Sequence, residues 1–124
     1  MKKTMMILSV LVAFTTSGAV AAPALKCGGT EPFWSIEVKD KHITVDVAGE
    51  LKQNYFGLST QEAAGMSAGT AFKIRGSRNR GAKRVELSVI RDSAGACSDG
   101  MSGESYPYQV LAEVEGMLLS GCCR

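Results

Sequence analysis

The chain has 124 residues, of which 45% are hydrophobic, 21% charged and 6% aromatic, which is room for one domain. Fourteen Lys and Arg face twelve Asp and Glu, and two of the positives are Lys2 and Lys3, so the remainder carries twelve of each sign. A neutral remainder has no overall field to draw it to nucleic acid, and one histidine with four cysteines is little material for a metal centre, so neither nucleic acid nor a cofactor is expected.

Residues 1–21 read as a secretory signal peptide. Lys2 and Lys3 form its positive end, residues 5–14 an apolar stretch broken only by Ser9, and Ala19-Val20-Ala21 the A-x-A pattern that a signal peptidase cuts after. The apolar stretch is far short of the roughly 20 residues that span a bilayer, so no transmembrane anchor is expected. Lys26 ahead of Cys27 puts a charge where a lipid-attachment motif takes a small residue. The expected mature chain is a single β domain over residues 22–124, periplasmic or secreted.

In an oxidising compartment Cys27, Cys97, Cys122 and Cys123 read as two disulfides. A bridge between the adjacent Cys122 and Cys123 demands a strained ring, because their Cα atoms are about 3.8 Å apart. Cys27 and Cys97 are therefore each expected to pair with one of the two. Neighbours on a strand point to opposite faces, so Cys122 and Cys123 reach different partners. The functional alternatives, a redox pair or a metal site, lack C-x-x-C spacing and have only His42 to assist.

Along the mature chain the period is two. Trp34, Ile36 and Val38 alternate with polar residues, Asp40-Lys41 makes a short connection, and Ile43, Val45 and Val47 repeat the pattern. Phe72 and Ile74, then Val85, Leu87 and Val89, then Tyr108, Val110, Ala112 and Val114 do the same. A turn at Glu115-Gly116 leads to a last strand over residues 117–123. Residues 60–68 fit a helical turn or a loop equally. Six or more strands, each with one apolar face, predict an all-β fold: a small antiparallel β-barrel, with a sandwich as the alternative, stapled by disulfides.

Three stretches are candidates for chemistry. Gly28-Gly29-Thr30-Glu31-Pro32-Phe33-Trp34 reads as a bend before the first strand that sets Glu31 beside the only tryptophan. It is either a binding spot with an aromatic platform or a structural feature, with Trp34 as plug and Glu31 as cap or ion-pair partner. The polar run from Cys97 to Tyr108 carries Asp99, Met101, Glu104 and Tyr106. Asp99 and Glu104 do not have the spacing of a twelve-residue calcium loop. A hydrolase triad of a serine, His42 and Asp99 exists only on paper, since His42 is read within a strand and no spacing places the three together. The basic run Lys73, Arg75, Arg78, Arg80, Lys83 and Arg84 spans a hairpin tip without interleaved aromatics, so base stacking is unsupported; an anionic envelope surface or an acidic protein partner is its functional reading, and a solvated loop is expected.

Gly-Thr-Glu-Pro-Phe-Trp at 29–34, Cys-Ser-Asp-Gly-Met-Ser at 97–102 with Tyr106-Pro107, and Ser-Gly-Cys-Cys at 120–123 together resemble a family of uncharacterised bacterial envelope proteins, often lipoproteins. That family shows an E-P-F-W motif, then C-x-D-x-M-S with a tyrosine, then a closing G-C. The resemblance implies that Cys97 pairs with Cys122 and Cys27 with Cys123, and that Glu31, Trp34, Asp99, Met101 and Tyr106 form a shared site. It implies no chemistry. A looser, architectural likeness is to small periplasmic β-barrels that inhibit lysozyme, through residues 102–106. The expected function is non-enzymatic: binding of a small ligand or an envelope protein at that site. The lysozyme inhibitor is the alternative, and a structural or envelope-stress protein without a pocket the third.

Overall fold

The computed structural model describes residues 11–12, 22–94, 97–98, 100 and 103–124. Most of the signal segment, together with Asp99 and Met101, lies outside the described residues. Among the described residues no helix is long and apolar enough to cross a membrane.

Eight antiparallel strands close into a barrel. They are β1 (Leu25–Thr30), β2 (Phe33–Val38), β3 (Ile43–Val47), β4 (Leu51–Glu62), β5 (Ala71–Arg78), β6 (Lys83–Arg91), β9 (Tyr108–Val114) and β10 (Met117–Cys123), in the spatial order β1-β10-β9-β6-β5-β4-β3-β2. Between β6 and β9 the chain leaves the wall and forms a separate two-stranded flap from β7 (Cys97–Ser98) and β8 (Ser105–Tyr106). The all-β barrel anticipated from the alternation is the fold that forms.

The alternation sets what lies inside. Ile36, Val38, Ile43, Val45, Val47, Ile74, Val85, Leu87, Val89, Val110, Ala112 and Val114 fill one core with Tyr55 and Trp34. β-branched residues dominate it, and their stiff side chains pack well on a pleated, inward-curving wall. The turn at Glu115-Gly116 has positive φ at both positions (49° and 88°), the geometry whose twist suits a two-residue hairpin. At that end of the barrel Arg78 and Glu115 form a half-buried ion pair of 2.6 Å, and the guanidinium stands 5.8 Å from the centre of the Tyr55 ring.

Three local expectations are corrected. Gly28 and Gly29 do not form a bend ahead of the first strand; they belong to β1, which pairs with β2 from Leu25↔Val38 to Thr30↔Phe33. Residues 60–62 complete β4, a twelve-residue strand that pairs first with β3 and, past a register shift between Phe56 and Ser59, with β5. The turns follow only at residues 63–70. His42 lies in the β2–β3 connection, where its carbonyl accepts from the Lys39 N–H at 2.9 Å, and β3 starts after it.

Both disulfides exist and follow from strand parity. Cys123 points inward and bonds Cys27, its register partner on β1. Cys122 points outward and bonds Cys97 on the flap. This is the pairing implied by the resemblance.

Candidate functional site

The barrel wall is uneven where β1 meets β10. β10 pairs with β9 along all seven of its residues, but its ladder with β1 covers only Cys27↔Cys123 and Gly28↔Cys122, extended by reciprocal backbone bonds between Lys26 and Arg124 (2.8 and 2.9 Å). Beyond Gly28 the chain turns away at Glu31-Pro32. The indole of Trp34 lies against this seam from inside.

Two glycines make that possible. Gly29 is the register partner of Trp34, and a Cβ there would collide with the indole Nε1. A Cβ on Gly121 would meet the Gly28 carbonyl oxygen and come within 2.8 Å of the indole Cζ2. The ring therefore lies where two side chains are missing, which is what a strand glycine permits when something must approach the backbone closely. Trp34 is 5% exposed, so it is a wall residue seen from within and not an open aromatic platform. Its Nε1–H finds no hydrogen-bond partner.

The flap sits outside the same seam. Cys122 faces outward and yet is only 3% exposed, because the disulfide holds β7 over it. Within the flap the Tyr106 hydroxyl donates to the Glu104 carboxylate at 3.2 Å. The same carboxylate accepts from Arg124 Nη1 at 3.3 Å, and the Arg124 guanidinium lies 5.7 Å from the centre of the Tyr106 ring. The tether is thus covalent at β7, with an exposed ion pair just ahead of β8.

Two cavities open beside the tether, sharing Gly29, Thr30 and Cys122 as a common wall. The larger, about 640 Å³, runs along the outer face of β6, β9 and β10, with Ile90, Leu111, Gln109 and Ser120 as its floor and Glu31 and Ser98 at its rim. Ile90 and Leu111 are half-exposed there, which leaves apolar surface uncovered in a groove. The smaller, about 200 Å³, is lined by Lys26, Trp34, Tyr106 and Arg124 among others. Trp34 and Tyr106 therefore meet in one cavity, and Glu31 lines the adjoining one. Glu31 is exposed and makes no hydrogen bond or ion pair among the described residues, so neither capping nor an arginine partner accounts for it.

The other candidates separate from this site. His42 packs 6.1 Å from Phe56, and neither cavity beside the flap contains it. Among the described residues no group of three His, Cys, Asp or Glu side chains is placed to hold a metal ion. Much of the basic run is neutralised in place. Lys73 and Arg75 each reach Glu86 at 2.9 Å, and these contacts, Lys73 first, hold the Glu86 carboxyl below the usual carboxylate range.

The sequence reading places neither Lys26 nor Arg124 at the site, although a signal is present. Once Cys27 is opposite Cys123, antiparallel register puts the residue before the one opposite the residue after the other. The chain matches no family model, no curated protein and no solved structure to which it was compared.

Proposed function

We propose that this chain is an exported, non-enzymatic binding protein of the bacterial envelope, and that its site is the pair of cavities beside the flap. The observation that supports it most is the convergence of Trp34 and Tyr106 on one cavity and of Glu31 on its neighbour, with the Cys97–Cys122 bridge between them. These residues come from segments more than sixty positions apart in the chain. The resemblance to the envelope proteins with E-P-F-W and C-x-D-x-M-S motifs belongs to the same proposal, as does placement in the periplasm or outside the cell; two disulfides are compatible with it. Small-ligand sites are typically concave, mostly apolar and finished by a few polar groups, and a floor of Ile90 and Leu111 with Glu31, Gln109 and Ser98 around it has that make-up.

Trp34 is the only tryptophan, so its fluorescence reports on the site alone. Titration with short peptides, cell-wall fragments and lipid headgroups should give a saturable change for at least one class. A flat response to all of them, with no envelope protein retained on the immobilised chain, would leave a structural role as the better explanation.

The lysozyme-inhibitor reading is kept for one feature: Gly103, Glu104 and Ser105 are exposed on a flap fixed by a disulfide, a pre-organised protrusion of the kind that enters a partner's cleft. The mature protein should then protect bacterial cell walls from a c-type lysozyme at near-stoichiometric ratios, and Ser105→Ala or Tyr106→Ala should weaken protection. Unprotected walls at a large molar excess would remove it.

A further inference from the structure

The smaller cavity is chemically one-sided. Lys26 and Arg124 are cross-strand neighbours joined by reciprocal backbone bonds, so two cationic side chains leave the same face of the seam side by side. Like charges placed directly opposite on a sheet destabilise it. Lys26 makes no ion pair among the described residues. Trp34 lines the same cavity, and its Nε1–H is enclosed without a hydrogen-bond partner. An unsatisfied buried donor in a native protein calls for a reason. Among the described residues the carboxylate that reaches the cluster is Glu104, through an exposed contact of 3.3 Å to Arg124. It belongs to the flap, not to the barrel.

We infer that this cavity is an anion site, taking a carboxylate or phosphate group of a small ligand between Lys26 and Arg124 with Trp34 in its wall, and that Glu104 occupies the Arg124 end when no ligand is present. The inference rests on the reading of the flap as the cover of a binding site, and it names the chemistry of the ligand. The volume, about 200 Å³, suits a small anionic group and not a large molecule. The neighbouring groove, with its apolar floor, takes the remainder of any ligand larger than the anion. Two adjacent cations form the charge-assisted pair that binds carboxylate and phosphate strongly, and the ligand's anion replaces the flap's own carboxylate at a weak, exposed ion pair with Arg124. Binding thereby releases Glu104 from Arg124 while the disulfide retains the flap.

The test uses the full mature protein with inorganic phosphate and with acetate as separate probes, and sodium chloride at matched ionic strength as control. The single indole N–H resonance is followed by two-dimensional proton–nitrogen NMR. The expected result is a saturable displacement of that resonance by phosphate, by acetate or by both, with chloride inert, and the response to each identifies the anion class. Lys26→Gln and Arg124→Gln, both at exposed positions, should each weaken binding about tenfold, as loss of a charge-assisted contact implies. Glu104→Gln should tighten it, because the competing carboxylate is gone. An indole resonance unmoved by either anion overturns the inference, and so does a displacement that Lys26→Gln and Arg124→Gln leave unchanged. If larger ligands alter Trp34 fluorescence while these anions do not, the anion site fails and the binding reading survives; if nothing perturbs Trp34, both fail.

Discussion

At the residue scale, Gly121 is the most constrained position of the seam. Any Cβ there meets the Gly28 carbonyl, which is backbone and cannot rotate aside. Gly121→Ala should cost on the order of 1–3 kcal/mol or more, the usual penalty for overpacking, and urea unfolding of the variant measures it. Trp34 should also become more exposed, visible as a red-shifted emission. Tyr55 offers a test by pH. Burial pushes its phenol above the ordinary value of 10.0, with Arg78 pulling the other way. The folded state thus holds the proton where the unfolded chain would release it. Its contribution is complete below pH 10 and fades as pH rises through the folded value. Melting curves above pH 10 should accordingly fall more steeply for the wild type than for Tyr55→Phe. A parallel fall would show that other groups govern alkaline unfolding.

At the element scale, the two disulfides do different work. The Cys27–Cys123 bridge closes the barrel across 96 positions, whereas Cys97–Cys122 spans 25 and holds only the flap. Loop-closure entropy assigns about 3.5 kcal/mol to the shorter loop and about 4.7 kcal/mol to the longer. Replacing Cys97 and Cys122 by Ser should leave the far-ultraviolet dichroism of the barrel intact and cost the smaller amount in urea unfolding; replacing Cys27 and Cys123 should cost more. The reverse order would mean that the flap is part of the folding core. The same contrast explains which strands were legible. β2, β3, β6 and β9 bury every second residue along their lengths, and their side chains display the period. β1 hides it because Gly28 and Gly29 have no side chain to alternate. β4 hides it because Tyr55 is the single fully buried residue among its twelve, with Leu51 and Leu58 only partly buried and a register shift in between. Strand parity at Cys122 and Cys123 was readable and holds; the choice between the two remaining pairings needed either the resemblance or the three-dimensional register.

At the scale of the whole molecule, barrel closure makes distant segments local. Glu31, Trp34 and Tyr106 were recognisable as unusual, but nothing in the linear order divides them between two cavities, and Lys26 and Arg124 come together only once Cys27 is set opposite Cys123. That division depends on the stagger between β1 and β10, a property of the closed sheet. Export is tested separately: protein recovered from the bacterial envelope should begin at Ala22, with no thiol titratable by Ellman's reagent after denaturation without reductant. Two free thiols per chain would contradict the oxidised compartment.

The central question is whether the acid at the seam serves binding or stability, and Glu31→Gln answers it in one paired measurement. Glu31 is exposed and has no partner among the described residues, so its neutralisation removes no native contact, and surface changes of this kind stay within about 0.5 kcal/mol. Thermal unfolding of the variant is recorded beside the Trp34 fluorescence titration with whichever ligand class the wild type binds. The expected outcome is an unchanged melting temperature with binding weakened or lost. A melting temperature several degrees lower with binding intact would contradict the proposal and make Glu31 a residue that holds the fold.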